Sequence, residues 1–520
     1  MHAFASTATP PVVTDNDIAA GNETIRKQVR GSGLLLSGTL FSIAINLFSQ
    51  LLAVRLLATN EFGAWAYALS IVTLCQVVVR LGLNDAVPRF VPIYHEHRDY
   101  QRMFGTIVLA FGTVLASGLV IVGALRAFPQ ILRLLTNGKG PVSLLLVAVF
   151  IVPIDAVDGM LMGLFASFSG PSAICARKHV VGPILKLVAV LLLLVFGRSA
   201  MVLAYGYVIG LAAGVLVFTA VLIRQLRRKG VLACWPRHIK VPVREIFSFS
   251  LPMMTTDLVL LANQSLPVLL LGYLYDLKMV AMYRVVLPAA GINMLVMTAF
   301  TSLYMPTASR LLARGDRAGI NRLYWHTAAW MTVLSFPVFA ATCCFARPLT
   351  VALYGARYAE SSAVLALLSF GYYFNVVLGF NGLTLKVLGK VRYVVLINIA
   401  ATVSNLAFSF LLIPRYGAVG AAIAAAGSMV LHNLLKQAGL RMASGVSLFA
   451  REYSWFYGTV VASALILFIV PVFAPNNVFV LVVASAVVSL TLLRCLRREL
   501  KIGDTFPEGL RIPILGRYLA

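Results

Sequence analysis

Fourteen predominantly apolar runs, most of them 17–28 residues long, follow one another between residues 34 and 496 of this chain. About 20 residues of α-helix cross the hydrocarbon of a bilayer. Inside that layer no water is at hand to bind a free amide or carbonyl, so each run must close its own hydrogen bonds as a helix. The spans read as 34–54, 64–83, 105–125, 141–168, 180–197, 201–223, 246–271, 279–300, 325–346, 362–385, 393–413, 418–440, 455–474 and 477–496. Composition excludes a soluble globule, since 60% of residues are hydrophobic and 12% charged, against about 25% charged in soluble domains. The expected class is an all-α polytopic membrane protein.

A formal charge of +25 would suggest nucleic acid in a soluble chain, but in a membrane chain the placement of cations carries the information. With residues 1–33 on the cytoplasmic side, segments assigned inside hold 31 of the 43 Lys and Arg and segments assigned outside hold 9. The alternation survives to the end of the chain, so both termini are expected in the cytoplasm and no nucleic-acid partner is expected. The first apolar run ends without a small-residue cleavage site and reads as a membrane helix, not a removed leader. Six cysteines, Cys75, Cys175, Cys234, Cys343, Cys344 and Cys495, lack metal-ligand spacing and read as small buried hydrophobes.

The longest polar stretch between helices, 224–245, divides the first twelve helices into six and six. RLLATNEFGAWAY at 55–67 lines up with GYLYDLKMVAMYR at 272–284, and at nearly the same offset Pro88 meets Pro306 and Asp99 meets Asp316. An internal duplication with six helices per half gives parallel repeats around an axis along the membrane normal. The expected organisation is a tail 1–33, an N-lobe 34–223, a basic linker 224–245, a C-lobe 246–441, two further helices within 442–496 and a tail 497–520. Trp235 in the basic linker suits contact with the anionic inner leaflet, and a plain solvated linker fits as well.

RLLATNEFGAWAYALS at 55–70, LGLNDAVPRFVP at 81–92 and PRYGAVGAA at 414–422 resemble the Wzx-like polysaccharide transporters of the multidrug/oligosaccharidyl-lipid/polysaccharide exporter superfamily. The resemblance implies two six-helix lobes around a central cavity, two extra C-terminal helices, and movement of lipid-linked oligosaccharides across a bacterial inner membrane. It implies membrane lipids, and a polysaccharide polymerase with its export machinery, as partners. At Val268, preceded by Pro267, the chain lacks an acidic–basic pair common among such relatives, so no role of that pair is carried over.

An ionisable side chain at mid-bilayer costs about 2.5–3.5 kcal/mol on insertion scales, which makes each one a candidate for function. Asp155 and Asp158 share a helix face and could hold a coupling proton or sodium ion, as could Asp257, with Asn263 and Gln264 two turns on. The bland alternative is a structural ion pair or interhelical hydrogen bond. Arg284, Lys186 and Arg80 suit a pyrophosphate or acidic sugar, although Arg80, near its helix end, could equally snorkel to the interface. Arg55 and Arg89 are candidates at the cavity mouths or simple anchors. Pro153, Pro183, Pro252, Pro267, Pro288 and Pro337 interrupt helices and suit bending.

No nucleotide-binding, catalytic or metal motif stands out, so no cofactor is expected and energy would come from an ion gradient, the membrane potential or the cargo's own gradient. The function that fits is a flippase for undecaprenyl-pyrophosphate-linked oligosaccharide. A drug/cation antiporter on the same fold would need carboxylates to dominate the cavity. A membrane glycosyltransferase or polymerase would need a sizeable external loop, and the longest, 126–140, is short and carries no carboxylate.

Overall fold

The computed structural model describes residues 37–500 apart from 136, 139–140, 170, 445–453, 474–477 and 498. The expected tail 1–33 and nearly all of the tail 497–520 lie outside the described residues. The described residues fold as helices: α1 Ser37–Leu56, α2 Thr59–Arg80, α3 Leu83–Glu96, α4 Tyr100–Ala127, α5 Ile151–Phe168, α6 Gly182–Phe196, α7 Ala200–Arg228, α8 Val243–Gln264, α9 Leu266–Leu274, α10 Leu277–Gly291, α11 Leu295–Ala313, α12 Arg317–Phe339, α13 Ser361–Val377, α14 Val391–Ser444, α15 Ser454–Phe473 and α16 Val478–Cys495. Eleven stretches are long and apolar enough to span a membrane, and one of them is bent back at Gly417 (φ 55°, ψ −130°) into two. Two shorter apolar helices lie at Ser454–Val470 and Phe479–Cys495 among the described residues. The chain is a multi-pass membrane protein.

Several single sequence spans are broken in the structure, each for a local reason. The span 246–271 divides at Ser265 into α8 and α9, because Pro267 in the first turn of α9 has no N–H to give to Asn263. The span 279–300 passes through a 3₁₀ turn at Ile292–Met294, just past Pro288. Pro267 sits in a first turn, where proline costs little, Pro183 follows directly on the π turn Cys175–Val181, and Pro252, Pro288 and Pro337 lie inside helices. Cys175, Cys343 and Cys344 are buried as expected of small hydrophobes, but Cys234 and Cys495 are exposed.

The duplicated positions have duplicated structure. Asp99 accepts a hydrogen bond from the Arg102 amide at 3.1 Å to cap α4, and Asp316 accepts one from the Gly319 amide at 2.7 Å to cap α12. Both caps follow a residue in the left-handed region, Arg98 (φ 56°) in one half and Gly315 (φ 73°) in the other. Pro88 and Pro306 each lie within the preceding helix, α3 and α11. The last two helices pack on α12, where Trp330 Nε1 donates to the Leu500 carbonyl at 3.1 Å and Phe336, Phe456, Leu467 and Leu481 share one apolar cluster.

The two halves meet at both ends of the molecule. At the upper end, where α1 finishes, Gly63 of α2 lies so close to the Leu277 carbonyl that a Cβ would fall 1.8 Å from its oxygen. At the lower end Gly82 (φ +70°) meets the Ser250 carbonyl in the same way. The 224–245 segment is not a loose strap: the Lys240 amide donates to Gln101 at the start of α4, and Trp235, half exposed, packs on Phe104 with ring centroids 4.5 Å apart.

Candidate functional site

Between these two contacts lies a cavity of about 890 Å3, walled by α1, α2, α3, α5, α6, α7, the segment before α6, and Arg284 of α10. Its lining brings together Arg80, Asp155, Asp158, Lys186 and Arg284 with Arg177 and Lys178, so cations outnumber carboxylates by five to two. A smaller chamber of about 190 Å3 lies against it and shares Lys186, Tyr207 and Arg284. A third, of about 310 Å3, enters the C-lobe and holds Asn263, Gln264 and again Arg284. Arg284, midway along α10, lines all three.

The two carboxylates do not stand together. Asp155 takes the guanidinium of Arg80 and, at 2.9 Å, the side-chain amide of Gln76. Arg80 therefore binds a cavity carboxylate through its guanidinium. Asp158 accepts from Arg177 Nη2 at 2.6 Å and Nε at 2.9 Å, both on Oδ1. Each carboxylate is thus matched by its own arginine, and the matched pairs contribute no net charge to the cavity.

The apolar spans 141–168 and 180–197 leave Arg177 between helices, and it is not among the sequence candidates. It sits in a π-helical turn, Cys175–Val181, whose extra residue per turn rotates it inward. Its side chain is 3% exposed. Gly214 of α7 makes room for it, since a Cβ there would lie 3.0 Å from Nη1, and the Phe218 ring stacks at 5.3 Å. The signal available in the sequence was the small Gly214 opposite; the π turn itself has no comparable signature.

Lys186 and Arg284 differ from these arginines. Among the described residues neither has a carboxylate partner. Arg284 is flanked by Tyr283 and Tyr372, and Lys186 is exposed to the cavity. A cation in such a place, without a carboxylate partner, is matched most favourably by an anion that arrives with a ligand.

The remaining candidates lie apart. Asp257, half exposed on α8, has Asp85 and Arg80 as charged neighbours and does not line these three cavities. Asn263 is held by its own network, donating to Thr402 Oγ1 at 3.0 Å and accepting from Asn405 at 3.0 Å. Arg55 reaches across the upper end to donate to the carbonyls of Ala352 at 2.6 Å and Leu353 at 3.0 Å, at the end of the helix Ala346–Tyr354. In return Arg357 donates to the Val54 carbonyl and, at 3.3 Å, to that of Arg55. Each arginine satisfies carbonyls left open at the other lobe's helix end. Arg89 lies over the Phe249 ring at 4.3 Å, an N-lobe to C-lobe contact at the lower end.

A family model described as "Polysaccharide biosynthesis protein" matches residues 51–363. The capsular polysaccharide biosynthesis protein CapF of Staphylococcus aureus is 24% identical over 186 residues, covering 35% of this chain and 46% of that protein, so the match spans less than half its length. An uncharacterized membrane protein of Methanocaldococcus jannaschii, MJ1068, is 22% identical over 400 residues, covering 71% of this chain and 76% of that one. Among solved structures, the lipid II flippase MurJ in an inward closed conformation superposes with a TM-score of 0.70 at 15% identity, covering 90% of this chain and 99% of that one. An inward-facing MATE family multidrug resistance transporter of the MOP superfamily gives 0.61 at 13%, covering 79% and 98%. At such identities the likeness establishes the fold alone.

Proposed function

The chain belongs to the polysaccharide biosynthesis protein family, and from that premise we propose that it flips undecaprenyl-pyrophosphate-linked oligosaccharide across the bacterial inner membrane. On this reading the lower end and both termini face the cytoplasm, residues 34–223 and 246–441 are the two lobes, and the protein works beside a polysaccharide polymerase and its export machinery.

One observation carries the reading. The cavity's carboxylates are each paired to an arginine, which leaves Lys178, Lys186 and Arg284 without an anion among the described residues, Lys186 and Arg284 lining the smaller chamber as well. A pyrophosphate brings negative charge and acceptor oxygens to where those two side chains point, and arginine can bind it through two parallel N–H bonds. A cationic drug would meet the opposite: an unmatched positive field and no free carboxylate in the large cavity. The oligosaccharide, joined to the pyrophosphate, occupies the chambers around Arg284, and the polyprenyl tail stays in lipid. Alternating access then requires the upper contacts at Gly63 and Arg55/Arg357 to part as the lower ones at Gly82 and Arg89 hold.

Deleting the gene tests this. The strain is expected to stop exporting one surface or secreted polysaccharide and to accumulate its lipid-linked unit on the cytoplasmic leaflet. Normal polymer together with new sensitivity to cationic drugs would replace this reading with the antiporter.

A further inference from the structure

Beyond the cations, the cavity system continues past Arg284 into the C-lobe chamber of about 310 Å3, and its lining changes in kind. Arg284 at the boundary is the one charged residue there; the rest is amide, tyrosine, proline and aliphatic. Polar capacity in this chamber is left unspent. Asn263 is fully engaged with Thr402 and Asn405, but the next residue, Gln264, and the Tyr372 hydroxyl make no hydrogen bond among the described residues and face the space. Pro288 lines the same chamber and, lacking an N–H, leaves the Arg284 carbonyl without its helical donor.

A carboxamide offers donors and an acceptor together, and a phenol offers one of each. Sugar hydroxyls need that combination, and the apolar face of a sugar ring packs on a tyrosine ring. The volume lies at the small end of ligand pockets, which run from about 300 Å3. It has room for the first sugar of a chain, not for a whole oligosaccharide. That sugar is bonded directly to the pyrophosphate, so a subsite for it must adjoin the phosphate site, and Arg284 lines both.

We propose that the C-lobe chamber binds the reducing-end, uncharged sugar of the cargo through Gln264 and Tyr372, while Arg284 and Lys186 hold the pyrophosphate. The proposal rests on the flippase reading and adds to it a means of telling a loaded carrier from the bare lipid.

The test uses the full-length protein in lipid nanodiscs and two probes: undecaprenyl pyrophosphate, and the undecaprenyl-pyrophosphate oligosaccharide extracted from the deletion strain. Wild-type protein is expected to bind the sugar-bearing lipid about tenfold more tightly, the effect of a few net hydrogen bonds. Gln264→Leu combined with Tyr372→Phe, both close in shape to the originals, is expected to erase that preference and leave affinity for the bare lipid within about twofold. Equal loss for both lipids would assign these residues a structural role and overturn the proposal, as would a wild type without preference. Wild-type protein that binds neither lipid would instead overturn the flippase reading itself.

Discussion

The two lobes share the cap that opens α4 and α12 and even the left-handed residue before it, yet their cavities have opposite chemistry. The N-lobe cavity carries arginine–carboxylate pairs and unmatched cations; the C-lobe chamber is neutral except where Arg284 borders it. Duplication therefore explains the frame and not the site. Asp99 and Asp316 do the same work because both close a helix end, whereas Arg177 has its role from a π turn and a facing glycine particular to the first half. Charge gathered in one cavity and neutral polarity in the other, with Arg284 of the C-lobe at the border of both, suits a cargo with an anionic link and an uncharged remainder.

The largest effect on this contrast is expected at Arg177. Arg177→Met strands Asp158 in the membrane interior, and breaking a buried pair in this way costs about 3–5 kcal/mol. Little folded protein should be recovered by size-exclusion chromatography in detergent, and adding Asp158→Asn should restore much of it. If Arg177→Met alone melts like the wild type, the pair is not structural.

Arg284→Ala should leave the fold intact and lower polymer export at least tenfold, the loss of about 1.4 kcal/mol or more of cargo binding. Arg284→Lys should keep part of the activity, since a point charge still meets phosphate without the planar fork. Quantifying exported polymer at native expression separates the two.

Smaller effects are expected at the upper seal. Arg357→Ala or Arg55→Ala removes carbonyl caps that tie one lobe to the other, so spin labels placed on either side of that end should report a larger share of separated lobes. Unchanged distances in both variants would make the arginines simple anchors. The smallest is Asp257→Asn, which removes a titratable group outside the three cavities and should shift the dependence of transport on pH or sodium more than its maximal rate.

Much of this architecture was legible in the chain. Apolar run length marks the long helices because a bilayer enforces helix length, and the Asp99/Asp316 and Pro88/Pro306 matches mark positions that recur in both halves. The site was legible as a list of intramembrane charges and illegible as pairs. Asp155 and Asp158 sit on one helix face and could have shared an ion; which arginine each would meet depends on the rotation of other helices. Arg177 looked like loop because nothing local announces a π turn, and Arg55 was open between a cavity mouth and an anchor because its partners are carbonyls nearly 300 residues away in sequence.

The central claim is that unmatched cations at Lys186 and Arg284 receive a pyrophosphate. Its most direct measurement is translocation of undecaprenyl-pyrophosphate oligosaccharide by purified protein in proteoliposomes, comparing wild type with the Lys186→Ala/Arg284→Ala double variant matched for folded protein. The account predicts transport by the wild type, and by the double variant a rate no higher than that of protein-free vesicles. Transport by the double variant at the wild-type rate would contradict it and move the anion site elsewhere in the molecule.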